Sequence, residues 1–306
     1  MTSDQCKTST QSTNLHHHFN YSIVVPCYNE TESLPYAVIN LLDLLPNDNR
    51  WELIIVDDGS TDGTHKDLIE LKVKYNRINV ITHNKNQGYG AAIKTGIEAS
   101  KYENIVITDA DGTYPNERIP ELVKLLEDYD MVVGARTADN VTYSKIRALP
   151  KFFLRAYASW IANVYIPDIN SGLRSFKKSV ILNFIKLLSD KFSFTTTSTL
   201  AFLTNGHKVS YLPVNYYKRT GTSKIRPFRD TIRFVALIMR IGMYFAPLRV
   251  LTPFILFLSI CFVLSLFFDL FVINNITDKT ILLLLFSMNT GFFALLADMI
   301  EKRTKL

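Results

Sequence analysis

Cysteine is scarce. The 306-residue chain holds three, Cys6, Cys27 and Cys261, in unrelated contexts. That excludes a disulfide-built scaffold and any CxxC-type zinc site, and it suits a reducing compartment. The two standard phosphate-cradling loops are also missing. Gly88-Tyr89-Gly90 lacks the third glycine of the dinucleotide spacing, and no GxxxxGKS/T string occurs. A nucleotide would therefore be held by metal and side chains, which argues against hydride transfer and ATP hydrolysis. Residues 1–19 read as a floppy Ser/Thr/Gln/Asn-rich tail. No apolar stretch follows a basic start there, so no signal peptide is expected, and His16-His17-His18 has no second ligand cluster nearby.

What is present is apolar and basic. Apolar residues make up 47% and charged residues 20% of the chain, which excludes a disordered or fibrous protein. The formal net charge is +6, and its placement decides its meaning. Lys218, Arg219, Lys224, Arg226, Arg229, Arg233, Arg240 and Arg249 are opposed only by Asp230 and abut an apolar tail. Membrane phosphate is the better reading of that cluster than nucleic acid.

Short β-branched runs recur at Tyr21–Val25 (closed by Pro26), Leu53–Val56, Ile78–Thr82, Ile105–Thr108 and, more weakly, Met131–Val133. Amphipathic stretches at Glu32–Leu45, Thr64–Tyr75, Gly90–Ser100 and Ile119–Glu127 alternate with them. Continuous apolar strands between helices predict a parallel sheet covered on both faces, an α/β doubly wound domain. Such sheets bind ligands beyond the carboxyl ends of their strands.

The tail predicts two further elements, Val250–Ile273 and Thr280–Ile300, joined by Asn274–Lys279. Each is close to the ~20 residues that span a bilayer. Basic residues before the first and after the second predict that the α/β domain and both termini lie in the cytoplasm. A buried pair of soluble helices is the competing reading. The sequon Asn275-Ile276-Thr277 lies too near both spans to be an acceptor. Thr231–Phe245 places Ile232, Val235, Ala236, Met239, Gly242 and Met243 on one face. It reads as an interfacial helix or as an ordinary amphipathic helix packed on the domain. The expected organisation is a tail (1–19), a catalytic domain (20–230), an amphipathic interfacial helix (231–247), a transmembrane hairpin (248–300) and a basic cytoplasmic tail (301–306).

The acidic residues cluster at strand ends. Asp57-Asp58-Gly59-Ser60-Thr61-Asp62-Gly63-Thr64 follows the second strand, where Gly59 and Gly63 permit a tight turn and Asp58 offers acceptors to a ribose or base. Asp109-Ala110-Asp111 follows the fourth, and carboxylates two residues apart at a bending strand end converge on one hard cation, Mg²⁺ or Mn²⁺. Alone, either string is most often just a turn.

Together these strings carry a resemblance. Val24-Val25-Pro26-Cys27-Tyr28-Asn29-Glu30, the DDGSTDGT octet and the DAD at 109–111 resemble family 2 glycosyltransferases of GT-A fold over roughly Tyr21–Ile225. Val133-Gly134-Ala135-Arg136, Asp168-Ile169-Asn170-Ser171-Gly172-Leu173-Arg174 and Arg219-Thr220-Gly221-Thr222-Ser223-Lys224 narrow it to the branch that charges polyprenyl phosphates, similar to dolichol-phosphate mannose synthase. The resemblance implies a GT-A sheet with a membrane hairpin and an inverting transfer of hexose from a UDP- or GDP-sugar to undecaprenyl or dolichyl phosphate. It implies that Pro26, Tyr28 and Glu30 line the base and ribose with help from Asp58, that Asp109 and Asp111 hold the metal, and that Arg136 reaches a phosphate. Ser171, Arg174, Arg219 and Lys224 would serve the acceptor phosphate and a closing loop. Asp168 is the family-like base or orienting group, or else a plain structural turn. Relatives often carry a glutamine metal ligand two positions after the second aspartate; here Thr113 stands there. Hairpins of this kind often pack against copies of themselves, which adds a homo-oligomer to the expected partners.

Two other functions compete. A processive polysaccharide synthase shares the catalytic fold, but neither a Q-x-x-R-W string nor further spans occur. A non-catalytic membrane scaffold on a degenerate domain is disfavoured by the intact acids at 58, 109 and 111.

Overall fold

The computed structural model describes residues 19–45, 50–75, 77–137, 155–217, 236, 239–240 and 242–303. Its elements are β1 (Tyr21–Cys27), α1 (Leu34–Leu44), β2 (Trp51–Asp57), α2 (Thr64–Lys74), β3 (Ile78–Thr82), α3 (Tyr89–Ala99), β4 (Asn104–Ile107), α4 (Ile119–Lys124), β5 (Met131–Ala135), α5 (155–162), β6 (Arg174–Lys177), α6 (Lys178–Leu182), α7 (Phe194–Thr204), β7 (Val209–Pro213), α8 (Pro247–Phe268) and α9 (Asp278–Arg303). The strands form one seven-stranded sheet in the order β3-β2-β1-β4-β6-β5-β7. The pairs β1–β2, β1–β4, β2–β3 and β5–β7 are parallel, while β6 runs antiparallel to both β4 and β5.

Alternating strand residues feed two cores. Val24, Ile105 and Met131 face Ile93 and Ile97 of α3 and Phe194, Leu200 and Phe202 of α7. Ile23, Val25 and Leu53 face Leu34, Val38 and Leu41 of α1 and Leu68 of α2. Burial on both faces explains why the strands read as unbroken apolar runs. β1 does not stop before Pro26 but continues to Cys27, because the β1–β4 ladder ends at Val24–Ile107. Beyond that point one side of β1 makes no ladder bond, and a residue without an N–H is tolerated.

Helix α3 lies unusually close to β1. A Cβ at Gly96 would collide with the Val24 Cγ1 methyl. Gly96→Ala is expected to cost about 1–3 kcal/mol through overpacking, read as a lower thermal midpoint of the full chain. An unchanged midpoint would show that the packing there yields freely.

The tail folds as a hairpin. α8 runs on through a π-helical turn (Asp269–Ile273), Asn274 reverses the chain at φ 56°, and α9 returns. Both helices are long and apolar enough to cross a membrane, with mean hydropathy 2.7 and 2.0, and most of each apolar stretch is uncovered by the rest of the protein. That exposure is not what a buried soluble helix pair shows, and it makes both helices candidate membrane spans. Polar groups face each other between the helices: Ser259 meets Ser287, Ser265 meets Thr280, and the buried Asp269 accepts from the Thr277 N–H and the Thr277 and Thr280 hydroxyls. The hydroxyl of the sequon is thus engaged within the turn.

Of the expected interfacial helix, the described positions Ala236, Met239, Arg240 and 242–245 are helical. Its expected apolar face splits. Gly242 is buried against Ile161 and Val250, and the neighbouring Phe245 packs on Phe184, whereas Met239 and Met243 are exposed.

Candidate active site

The carboxyl ends of β1, β2, β4 and β5 deliver the acidic strings to one rim. The turn after β1 needs a left-handed residue, supplied by Asn29 at φ 54°. Its backbone and side chain lace onto the β2 turn. The Asn29 N–H donates to Ser60 Oγ at 3.0 Å, the Thr61 N–H to Asn29 Oδ1 at 2.8 Å, and the Glu30 N–H to Thr64 Oγ1 at 2.9 Å. Tyr28 and Glu30 remain half-buried at the rim and Ser33 donates to Glu30, while Pro26 is buried in the strand.

Asp58 is turned inward. It is buried, and its carboxylate accepts from His83 Nδ1 at 2.7 Å, the Gln87 N–H at 2.9 Å and the Gly88 N–H at 2.7 Å. It fixes the start of α3. Gly59 is required because its φ is +71° and a Cβ would lie 2.6 Å from the Lys85 carbonyl carbon. Burial and the neighbouring Asp57 push the Cys27 thiol pKa up, so it stays protonated and packs as a small apolar group.

Asp109 and Asp111 stand at the end of β4. Tyr89 donates its phenolic proton to Asp109 Oδ1 at 2.8 Å. On the other side sits Gly172, where a Cβ would lie 2.5 Å from Asp109 Oδ2. Asp111 is buried and accepts from both the Thr113 N–H (3.2 Å) and its hydroxyl (2.7 Å). Thr113 is fully buried. At the position where relatives often carry a metal-ligating glutamine, this chain therefore has an orienter of Asp111. Beside Asp111 a groove of about 860 Å³ opens between α1 and residues 111–117.

Arg136 and Asp168 meet each other. Arg136 Nε donates to Asp168 Oδ2 at 2.7 Å and Nη2 to Oδ1 at 2.9 Å, and the Arg136 and Asn170 N–H groups add bonds at 3.1 Å each. Burial alone would raise the Asp168 pKa, but the Arg136 hydrogen bonds and charge outweigh it and hold the carboxyl below its usual range. The guanidinium also lies 5.2 Å from the centre of the Tyr216 ring. A carboxylate tied up in this way is a weak proton acceptor, and the geometry favours the orienting role over the base.

Ser171 and Arg174, the expected acceptor-phosphate residues, lie inside the domain. Both are fully buried. Ser171 donates to the Gly134 carbonyl, and the Arg174 guanidinium donates to the carbonyls of Ser171 and Thr195 and the hydroxyls of Ser198 and Thr199. The reason is β6, which sequence reading left unassigned: Arg174 opens that central strand, under α7. Arg219 and Lys224 lie outside the described residues.

Tyr89, Tyr114 and Gly172 were not assigned as site residues from sequence. Tyr114 Oη accepts the Gly172 N–H at 2.7 Å and its ring meets Tyr216 edge-on. A tyrosine between two glycines at a helix start carries no spacing signal of its own.

Among the described residues no group of three or more His, Cys, Asp or Glu gathers as a metal cage. The paired carboxylates nevertheless suit a hard cation, because Mg²⁺ is held by one or two carboxylates together with substrate phosphate and water. Their oxygen-only donor set excludes soft-metal chemistry.

A mixed seven-stranded sheet with an antiparallel strand inserted beside β4 has the architecture of the GT-A fold. The chain belongs to glycosyl transferase family 2, whose family model matches residues 22–182. It is 26% identical over 209 residues to the dolichyl-phosphate hexose transferase of Haloferax volcanii, covering 68% of this chain and 87% of that protein. It is 25% identical over 212 residues to the undecaprenyl-phosphate mannosyltransferase of Micrococcus luteus, covering 66% and 86%. Among solved structures it resembles glucosyl-3-phosphoglycerate synthase of Mycobacterium tuberculosis in complex with Mn²⁺, UDP and phosphoglyceric acid, with TM-score 0.58, 16% identity and coverage of 73% and 78%.

Proposed function

We propose that this protein transfers a hexose from a nucleotide sugar to a polyprenyl phosphate at the cytoplasmic membrane face, by inverting displacement and with Mg²⁺ or Mn²⁺. One observation carries the reading: a paired-carboxylate rim on a domain whose chain runs on into two long apolar helices. The named relatives act on polyprenyl phosphates, which supports the acceptor class.

Asp109 and Asp111 would hold the divalent ion, which when bound supplies positive charge against the departing nucleoside diphosphate. Tyr28 and Glu30, fixed by the ladder of bonds to residues 60–64, would line the nucleoside. The Arg136–Asp168 pair shapes the floor and keeps the 168–172 loop against Asp109. A lipid phosphate monoester already carries about −1.5 to −2 charge at neutral pH, so it attacks without a strong general base, in keeping with an Asp168 held ionised by Arg136. Arg219 and Lys224 are the proposed cations for that acceptor. The domain boundaries given above, with both termini cytoplasmic, belong to the same proposal, as does self-association through the hairpin.

The test is incubation of the purified full chain with a panel of UDP- and GDP-hexoses and a polyprenyl phosphate, with Mg²⁺, Mn²⁺ or EDTA. Lipid-linked sugar forming only with metal is the expected result, and donor binding without turnover would favour the scaffold reading. In the same assay Lys224→Ala is expected to raise KM for the lipid about ten-fold, losing one charge-assisted contact of ~1.5 kcal/mol, with less effect on the donor. Equal loss for both substrates would assign residue 224 to closure over the whole site.

A further inference from the structure

The Gly88-Tyr89-Gly90 string forms no phosphate cradle, yet it is held in place with unusual care. Asp58 caps the Gln87 and Gly88 N–H groups at 2.9 and 2.7 Å. Gly88 sits at φ +119°, and a Cβ at either Gly88 or Gly90 would strike the backbone of residues 189–190. Lys191 Nζ donates to the Gln87 carbonyl at 2.8 Å, and the Tyr89 ring stacks on Phe192 with centroids 5.6 Å apart. These contacts leave the Tyr89 ring one place to be, with its hydroxyl 2.8 Å from Asp109 Oδ1.

We propose that Tyr89 is a positioning residue for the divalent cation, donating its hydroxyl proton to Asp109 so that the carboxylate keeps one orientation toward the ion and the diphosphate. The proposal rests on the reading of Asp109 as a cation ligand. The physical need for it is local. Asp109 lies two residues past the end of β4, followed within three residues by Gly112 at φ +67°, so the strand alone does not hold its side chain. Gly172 packs against Asp109 without a Cβ, leaving room for the carboxylate. The Tyr89 hydrogen bond ties one of its oxygens to a fixed ring, and partners of this kind typically change metal affinity 10–100-fold when lost.

The test is Mn²⁺ titration of the full chain in detergent, followed by electron paramagnetic resonance, with UDP and in a parallel arm with GDP. Tyr89→Phe keeps the ring and its stack on Phe192 and removes only the hydroxyl; Asp109→Asn removes the ligand charge. The expected result is loss of Mn²⁺ binding in Asp109→Asn and about ten-fold more Mn²⁺ for half-saturation in Tyr89→Phe. Excess Mn²⁺ then restores kcat in Tyr89→Phe, while KM for polyprenyl phosphate and the metal-free melting midpoint stay at wild-type values. A purely structural defect would not be rescued by metal. Tyr89→Phe titrating like wild type overturns the proposal. Wild type that binds no Mn²⁺ with either nucleotide, or Asp109→Asn that binds it as wild type does, overturns the ligand reading underneath it.

Discussion

Asp111→Asn is expected to lower transfer by about 10²–10³-fold, the loss typical when a group stabilising transition-state charge is removed, while the protein stays folded. The fold survives because asparagine keeps an oxygen where Asp111 accepts from the Thr113 N–H and hydroxyl. What disappears is one negative charge at the β4 rim, and with it the affinity for a hard divalent ion in the presence of diphosphate. Initial-rate assays across a Mn²⁺ series, with a melting curve on the same sample, separate the two quantities. Turnover near wild type would remove Asp111 from the metal site and with it the main support for metal-dependent transfer.

Asp168→Asn is expected to act chiefly on stability. The variant leaves the Arg136 guanidinium, only 15% exposed, facing a neutral partner. Breaking a buried pair from one side costs about 3–5 kcal/mol, a fall in melting midpoint of roughly 5–15 °C. The sign of the pH dependence follows from the lowered pKa of Asp168. The pair stabilises fully above the ordinary aspartate value of ~3.9 and is lost as pH falls through the lower folded-state value. The gap between wild type and variant should therefore be constant from neutral pH to about 4–5 and narrow below it. The pH–rate profile should keep its shape, since Asp168 does not titrate in the working range. An unchanged midpoint together with a missing limb of that profile would make Asp168 the base instead.

The parallel half of the sheet was legible because β1, β2 and β4 are buried on both faces, edge strand β3 is rich in β-branched residues, and the intervening helices are amphipathic. Ile78–Thr82 was read to the residue, and the other strands differ at their ends by a residue or two. β6 and β7 escaped notice for a physical reason. β6, Arg-Ser-Phe-Lys, carries a buried arginine and a buried serine whose polarity is satisfied by the Leu122 carbonyl and by α7. β7 is a half-buried strand at the sheet's edge. Neither presents the apolar run that marks a strand in isolation.

The site divides along the same line. Where along the chain the carboxylates fall, and that they sit at strand ends, follows from local pattern alone. So does the hairpin, because about 20 consecutive apolar residues are a one-dimensional signal. Which way each polar group points is a different matter. That Asp58 caps α3, that Arg136 closes on Asp168, that Arg174 and Ser171 face inward and that Tyr89 reaches Asp109 all depend on partners 20 to 37 residues away or on the strand inserted beside β4. A side chain's role is set by which desolvated partner completes its hydrogen bonds, and only tertiary packing brings that partner within 3 Å.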